Sequence, residues 1–262
     1  MFFNPVQQQP QPVQQFPLEP CNHEEFDTRV MLHAANAAEQ GYKNILIRAN
    51  DSDTVFLSLD NYEKINAEKL WVSFGIGKTL RFIPIHDLCD EMPADIRHAL
   101  LVLHALSGCD TTSFLAGVGK KTVYEKWRGH PELTSTLCQL GSAPDGIKPE
   151  HIAVIESFVV SLYSSTCPYT TVNKTRQFVF SRTSQGFEYL PPTHAALVQH
   201  IKRTVLQAKC VWGQCLVPIQ ESADPADWGW YATDDGWAPY WTDLEPASEA
   251  MKGDLVRCGC TV

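Results

Sequence analysis

The chain has 262 residues and a formal net charge of −9, with 44% hydrophobic and 19% charged residues. This composition is ordinary for a soluble globular protein, and the length suits one large α/β domain with appendages or two small domains. No stretch approaches the roughly 18 apolar residues of a membrane span, and the start has neither the basic nor the apolar region of a secretory signal. These features argue against a secreted or membrane-spanning protein and predict a nuclear or cytoplasmic location.

The charge is distributed unevenly. Residues 221–254 carry nine acids and one lysine, whereas residues 1–220 carry 21 acids and 19 bases. The acidic excess argues against nonspecific coating of nucleic acid, so local patches on the near-neutral main body decide the partners. Nine cysteines at irregular spacings predict reduced thiols rather than a disulfide framework.

The chain begins with a Gln/Pro-rich leader, residues 1–20, whose composition cannot pack a core and predicts a disordered segment. The stretch "EEFDTRVMLHAANAAEQG" predicts a helix, because Val30 and Ala34 share an apolar stripe, the first turn is acidic, and Gly41 can cap the C-terminus. "KNILIRAN" predicts a buried strand. A turn at "NDSD" and a second apolar segment, "TVFLSL", follow it.

The middle of the chain predicts a hairpin and then helices. "LWVSFG" and "TLRFIPI" flank the glycine-containing turn "IGK", and apolar residues recur with helical spacing from Ile96 to Leu106 before Gly108. Helical patterns return in "KTVYEKWRG", "KPEHIAVIESFVVSLYSS" and "HAALVQHIKRTVLQAK". This alternation predicts an α/β fold with a mostly parallel central sheet and helices on both faces.

The predicted organisation is a core followed by two extensions. Four of the seven tryptophans lie between residues 228 and 241, which predicts that the acidic tail is ordered by packing against the body or a partner. Cys258 and Cys260 supply at best half of a zinc site. The expected segments are the leader 1–20, a core 21–165 with a helix-turn-helix at 114–128, a strand/helix extension 166–220, and an acidic Trp-rich tail 221–262.

Three groups of acids stand out. They are Glu24, Glu25 and Asp27 at the start of the first helix, Asp51 and Asp53 after the first strand, and Asp110 after the long helix. Residues beyond the carboxyl ends of strands converge on one edge of an open α/β sheet, so these groups are expected to meet. Clustered carboxylates suit Mg²⁺ or Mn²⁺, and two such ions form the usual clamp for phosphodiester hydrolysis.

Each group also has a purely structural interpretation. Acids in a first turn stabilise the helix dipole, Asp51 and Asp53 suit a tight turn, and Asp110 could cap the following helix. The turn "GVGKK" favours the functional interpretation, because a glycine turn that opens a helix offers backbone N–H groups to a phosphate. The histidines, His104 among them, show no zinc spacing and are expected to be surface or hydrogen-bonded core residues.

The run from "IPIHDL" through "SGCD" to "GVGKKTVYEKW" resembles the flap-endonuclease branch of the PIN-like nucleases over about residues 22–165. The resemblance implies a metal site built by the acids named above, with Asp51, Asp53 and Asp110 catalytic. It also implies that the 117–121 turn tracks a DNA or RNA backbone and can hold a monovalent cation. The turn residues concerned are Gly117, Gly119, Lys120 and Lys121.

A closer resemblance joins "HEEFDTRVMLHA", "NDSDTVFLSL", "HALSGCDTTS" and the Trp-rich segment to uncharacterised animal proteins with a nuclease-like core. Nucleases of this type begin with a strand that bears a central aspartate, and here the leader stands in its place. The resemblance therefore predicts a shortened chain that lacks the first strand and one metal ligand.

These observations leave three functional hypotheses. The first is a nuclease that uses Mg²⁺ or Mn²⁺, with two ions if the site is complete. The second is a catalytically incomplete domain that binds nucleic acid or protein. The third is a protein-interaction module that acts through the Trp-rich tail.

Overall fold

A computed structural model describes residues 18–142, 146–182 and 186–244. Its first elements are α1 (Phe26–Glu39), β1 (Asn44–Ala49), α2 (Ser52–Ile65), β2 (Lys69–Phe74), β3 (Arg81–Pro84), α3 (Ile85–Glu91), α4 (Ala94–Leu106) and α5 (Lys120–Trp127). The later elements are α6 (Pro131–Ser142), α7 (Pro149–Tyr163), α8 (Val172–Phe180), α9 (His194–Val205), β4 (Trp230–Thr233) and β5 (Gly236–Pro239). A π-helical stretch, Leu206–Val211, continues α9.

The main sheet has three strands in the order β1-β2-β3. β1 and β2 are parallel, with Ile45 opposite Leu70 and Ile47 opposite Val72, and β3 runs antiparallel to β2. The chain is therefore mixed α/β, but this sheet is smaller and less parallel than expected. The antiparallel pair follows from the short glycine turn between β2 and β3, which returns the chain directly to its neighbour.

The two faces of this sheet differ in burial. Side chains alternate across a strand, and Ile47, Leu70 and Val72 belong to the core on one face. The other face, called the open face below, carries Leu46, Arg48, Lys69, Trp71, Ser73 and Phe82. Leu46 and Phe82 are more than half exposed there. The expectation of helices on both faces was wrong for the open face.

Several predicted elements are confirmed. The first helix, the first strand, the β2–β3 hairpin and the helices of residues 94–106, 120–127, 149–163 and 194–205 all form where periodicity indicated them. The expectation that the first strand is buried was wrong, because Leu46 and Arg48 of β1 are exposed on the open face. Gly41 ends α1 with a φ of 91°, a conformation that favours glycine over residues with a side chain.

Other expectations were wrong. The "NDSD" stretch is the start of α2, which contains "TVFLSL", because Asp51 caps a helix instead of closing a turn. The range 114–128 contains one helix, α5, after an irregular segment, so it does not form a helix-turn-helix by itself. The described part of residues 166–220 is helical and contains no strand.

The tail packs against the body as expected over its described part. The Arg203 side chain donates to the carbonyls of Gly229 and Tyr240, at 3.0 and 2.9 Å, and its guanidinium lies over Trp230 and Trp241. Residues 1–17 of the expected leader and residues 245–262, including Cys258 and Cys260, lie outside the described residues. Within the described ranges, no helix has the length and apolar character needed to cross a membrane.

Candidate functional site

One cleft, of about 620 Å³, gathers acids from three separate segments of the chain. The start of α1, the end of β1 with the start of α2, and the loop after α4 form its walls. The acids that line it are Glu25, Asp27, Asp51, Asp53 and Asp110. Five of the six acids predicted from sequence are therefore brought together.

Glu24 is the exception. Its side chain is exposed and lines a different depression, beside Cys210 and Glu221. Neighbouring residues at the start of a helix point in different directions, so only one of the two adjacent glutamates can face the cleft.

Asp51 has a structural role and a place in the cleft at once. Its side chain accepts a hydrogen bond from the Asp53 backbone N–H at 3.0 Å and caps α2. This single bond engages one oxygen, Oδ1, and a carboxylate has two oxygens that accept. The structural and functional interpretations of this residue are therefore compatible.

Asp53 belongs to a hydrogen-bonded chain that runs from the cleft through the buried His104 ring to Lys120. Its Oδ1 lies 2.7 Å from Nε2 of His104, and Nδ1 of that ring lies 2.9 Å from the Lys120 ammonium. Because an ammonium group can only donate, Nδ1 must accept, and the ring proton resides on Nε2 and points at Asp53. The network thus defines a neutral imidazole with one tautomer.

The His104 ring is held in place on both sides by aromatic rings. The centroid of Phe56 lies 3.9 Å away and that of Trp212 6.0 Å away, and the His104 side chain is 1% exposed. Burial, together with the nearby Lys120 charge, lowers the pKa of His104 despite the opposing bond to Asp53. The neutral form required by the hydrogen bonds is therefore favoured at neutral pH.

The same network keeps Asp53 ionised. Burial alone would raise its pKa, but the hydrogen bond and electrostatic attraction of His104, a side-chain interaction with Asp51 and the positive charge of Lys120 together lower it. Asp53 is 8% exposed, so it presents a buried negative charge at the floor of the cleft.

Asp27 and Glu25 have the opposite tendency. The pKa of Asp27 is raised, first by burial and then by the charges of Asp51, Asp53 and Asp110, against the hydrogen bond that Thr54 donates. The pKa of Glu25 is also raised by burial, with smaller contributions from the charges of Asp27 and Asp53. Mutual repulsion in the cleft is thus part of the electrostatics of this site.

Glu25 is positioned by residues from the far end of the chain. Gln207 donates to its Oε1 at 2.8 Å and Trp212 donates to its Oε2 at 3.1 Å. Gln207 also accepts from the Thr111 hydroxyl at 2.7 Å, so it connects α1 to the loop that bears Asp110. Local sequence carried no signal for Gln207 or Trp212, because they are more than 180 residues from Glu25.

Asp110 is exposed at the rim of the cleft, in the loop after α4. It does not cap a helix, because the next one, α5, begins at Lys120. The loop depends on Gly108, whose φ is 113° and where a Cβ atom would lie 2.8 Å from the Cα of Phe114. Cys109 and Thr112 tie the turn together by reciprocal backbone hydrogen bonds.

The glycine-lysine turn is only partly as expected. Gly117 has a φ of 75°, and Gly119 is the N-cap of α5. The Lys120 ammonium turns inward and donates to the carbonyls of His104 and Gly108 as well as to the His104 ring. Lys121 instead points outward with its side chain 88% exposed, 3.9 Å from Glu125. Both lysines are exposed residues, but the Lys120 ammonium is engaged by the His104 ring and two carbonyls, so Lys121 is the one whose charge is free to meet a phosphate from solvent.

The donor set of the cleft fits a hard divalent cation in chemistry, because it consists of carboxylate oxygens whose repulsion a cation would relieve. The geometry is looser than that of a formed metal site. The described residues contain no group of three or more His, Cys, Asp or Glu side chains placed where it could hold a metal ion. The acids therefore share a cleft without converging on one point.

The fold and the cleft define an α/β protein with a clustered carboxylate site. Comparisons with protein-family models, with curated proteins and with solved structures found no match to this chain.

Proposed function

We propose that this chain is a PIN-like, flap-endonuclease-type domain that hydrolyses phosphodiester bonds of DNA or RNA with Mg²⁺ or Mn²⁺. The observation that carries the proposal is the meeting of five acids from three segments in one cleft. Acids that served only as helix caps or turn residues would have no reason to face the same space.

The acids named here would hold the metal, with Asp27, Asp51 and Asp53 on the floor and Asp110 at the rim. A bound divalent ion supplies an activated water and stabilises charge on the leaving oxygen. Asp53 stays ionised because His104 donates to it, and Glu25 is oriented by Gln207 and Trp212. The exposed Lys121 and the start of α5 would position the phosphate backbone beside the cleft.

The second candidate is a catalytically incomplete domain that binds nucleic acid. The observation that favours it is the absence, among the described residues, of three ligands close enough to hold an ion. Such a domain would bind with the salt dependence of phosphate contacts but would not hydrolyse its ligand.

The test is cleavage of end-labelled single-stranded DNA, flapped DNA and single-stranded RNA with Mn²⁺. We expect Asp53→Asn and Asp110→Asn to lower the rate by about 100-fold or more, since each removes a charge from the metal site. Asp235→Asn, an exposed acid in the turn between β4 and β5, is the matched control and should keep full activity. Equal, metal-independent background cleavage in all four proteins would refute the nuclease proposal, and salt-dependent binding without cleavage would favour the second candidate.

A further inference from the structure

The open face of the main sheet exposes large apolar side chains next to each other. Leu46 on β1 is 57% exposed and Phe82 on β3 is 59% exposed, with the half-buried Trp71 of β2 between these strands. Exposed apolar side chains that gather on one face of a sheet are typical of interaction sites.

The backbone of β1 is also available. β1 is an outer strand that pairs only with β2 among the described residues. Within the same ranges, no backbone hydrogen bond from outside the sheet reaches residues 44–49. A six-residue strand with a free edge is a template on which another extended chain can pair.

The charge of this region is opposite to that of the whole chain. Residues 44–50 and 69–84 contain four bases and no acid, although the chain carries a net charge of −9. The four bases, all exposed, are Arg48, Lys69, Lys78 and Arg81. Arg48 and Lys69 lie on the open face itself, where they flank Leu46 and Trp71.

The exposed apolar side chains, the free edge of β1 and the positive charge together fit one kind of binding partner. A second copy of this chain would bring bases against bases, which costs free energy. Single-stranded nucleic acid would match the charge, but Leu46 cannot stack a base as an aromatic platform does, and a nucleic acid cannot use the N–H and C=O groups of the strand edge in register.

We propose that β1 and the open face bind an extended, acidic, partly apolar peptide segment of another protein as an added strand. This inference does not depend on the nuclease proposal, because it rests on the free edge of β1 and on the open face and uses none of the acids of the cleft.

The experiment uses the full chain and an array of 12-residue peptides that alternate Val, Ile or Phe with Glu or Asp. Two matched sets replace the acids with Lys or Arg, or place Pro at two central positions, which removes strand donors without changing charge. We expect the acidic set to bind at least about tenfold more tightly than either matched set.

Variants at exposed positions test whether the peptides bind at the open face. Leu46→Ser should weaken binding to the acidic set by about tenfold, and Arg48→Glu should weaken it and move the preference towards the basic set. Leu244→Ser is the matched control, because Leu244 is also 57% exposed but lies elsewhere. Equal melting temperatures will show that the variants fold.

Four results of the binding measurements would overturn the inference, and a fifth comes from the oligomeric state. They are no binding to the acidic set, equal binding to all three sets, no effect of Leu46→Ser, and tighter binding of a 12-nucleotide oligo(dT) than of any acidic peptide. A concentration-dependent dimer that Leu46→Ser abolishes would instead assign this surface to a second copy of the chain and would equally overturn the proposal.

Discussion

The His104 ring joins its Nε2–H to Asp53 at 2.7 Å while it accepts from Lys120 on its other nitrogen. A buried acid, a neutral imidazole and an ammonium group thus form one line from the floor of the cleft to the start of α5. Charge-assisted hydrogen bonds of this kind are stronger than neutral ones, and the loss of one member leaves its partner buried without compensation. We therefore expect Asp53, His104 and Lys120 to act as one unit.

We expect His104→Ala to lower the free energy of unfolding by about 2–4 kcal/mol, because it leaves Asp53 buried without its donor. His98→Ala provides the comparison, since His98 also contacts an aspartate with a buried side chain, Asp60 at 2.9 Å, but the His98 side chain is 23% exposed against 1% for His104, so its removal leaves a smaller cavity. Urea unfolding at 25 °C should show a clearly smaller loss for His98→Ala. Equal losses in the two variants would contradict the special role of the buried chain.

Asp27→Asn should stabilise the protein at neutral pH. A raised pKa means that the folded state holds the proton more tightly than the unfolded state, so the ionised carboxylate opposes folding above the folded-state pKa. Asparagine keeps an acceptor for the Thr54 hydroxyl.

The stabilisation by Asp27→Asn should disappear as the pH falls below the ordinary aspartate value of 3.8, where the wild-type residue is protonated in both states. Urea midpoints measured from pH 3 to pH 7 for wild type, Asp27→Asn and Asp235→Asn will test this. An Asp27→Asn midpoint at or below that of wild type at pH 7 would show that repulsion in the cleft does not destabilise the fold.

Mn²⁺ should raise the stability of the wild-type protein, because an ion that binds only the folded state shifts the unfolding equilibrium. The gain should reach about 2–3 kcal/mol when the free ion is about one hundred times its Kd. The double variant Asp27→Asn with Asp51→Asn should lose this gain. If thermal unfolding shows the same Mn²⁺ effect in the double variant, the ion binds somewhere other than the cleft.

Gly108→Ala should cost about 2 kcal/mol or more, because its φ of 113° disfavours a side chain and the new Cβ would press against the Phe114 backbone. Gly119→Ala is the matched control, since Gly119 has a φ of −81° and no atom within 4 Å of an added Cβ. Thermal unfolding of the two variants should therefore differ clearly. A Gly108→Ala protein as stable as Gly119→Ala would contradict the packing of this loop.

We expect Lys120 to contribute to stability and Lys121 to contribute to nucleic-acid binding. Lys120→Met removes the donor to His104 and Gly108 and should cost about 1–2 kcal/mol. Lys121→Met should change stability by no more than about 0.5 kcal/mol but should reduce the salt dependence of nucleic-acid binding. Equal stability losses, or a salt effect confined to Lys120→Met, would reverse this assignment.

Sequence periodicity was a sufficient guide to many of the elements. The α1 stripe, the "KNILIRAN" strand and the hairpin at "IGK" form as predicted because their signals are local. The segment "TVFLSL" is ambiguous in sequence, because a short apolar run suits either a strand or a buried helix. The helix cap at Asp51 favours the helix, which is what forms. The helices α6 and α8 were not predicted, although Leu133, Leu137 and Leu140 of α6 recur with helical spacing and are buried.

By itself, the sequence determined which acids could form a site, because their order after a strand and after a helix places them near one sheet edge. Only the tertiary structure decided that Glu24 lies outside the cleft and that Lys120 turns inward to His104. It also decided that Gln207 and Trp212 hold Glu25, across more than 180 residues of chain. Contacts of that separation depend on how whole helices pack, and no local pattern of residues encodes them.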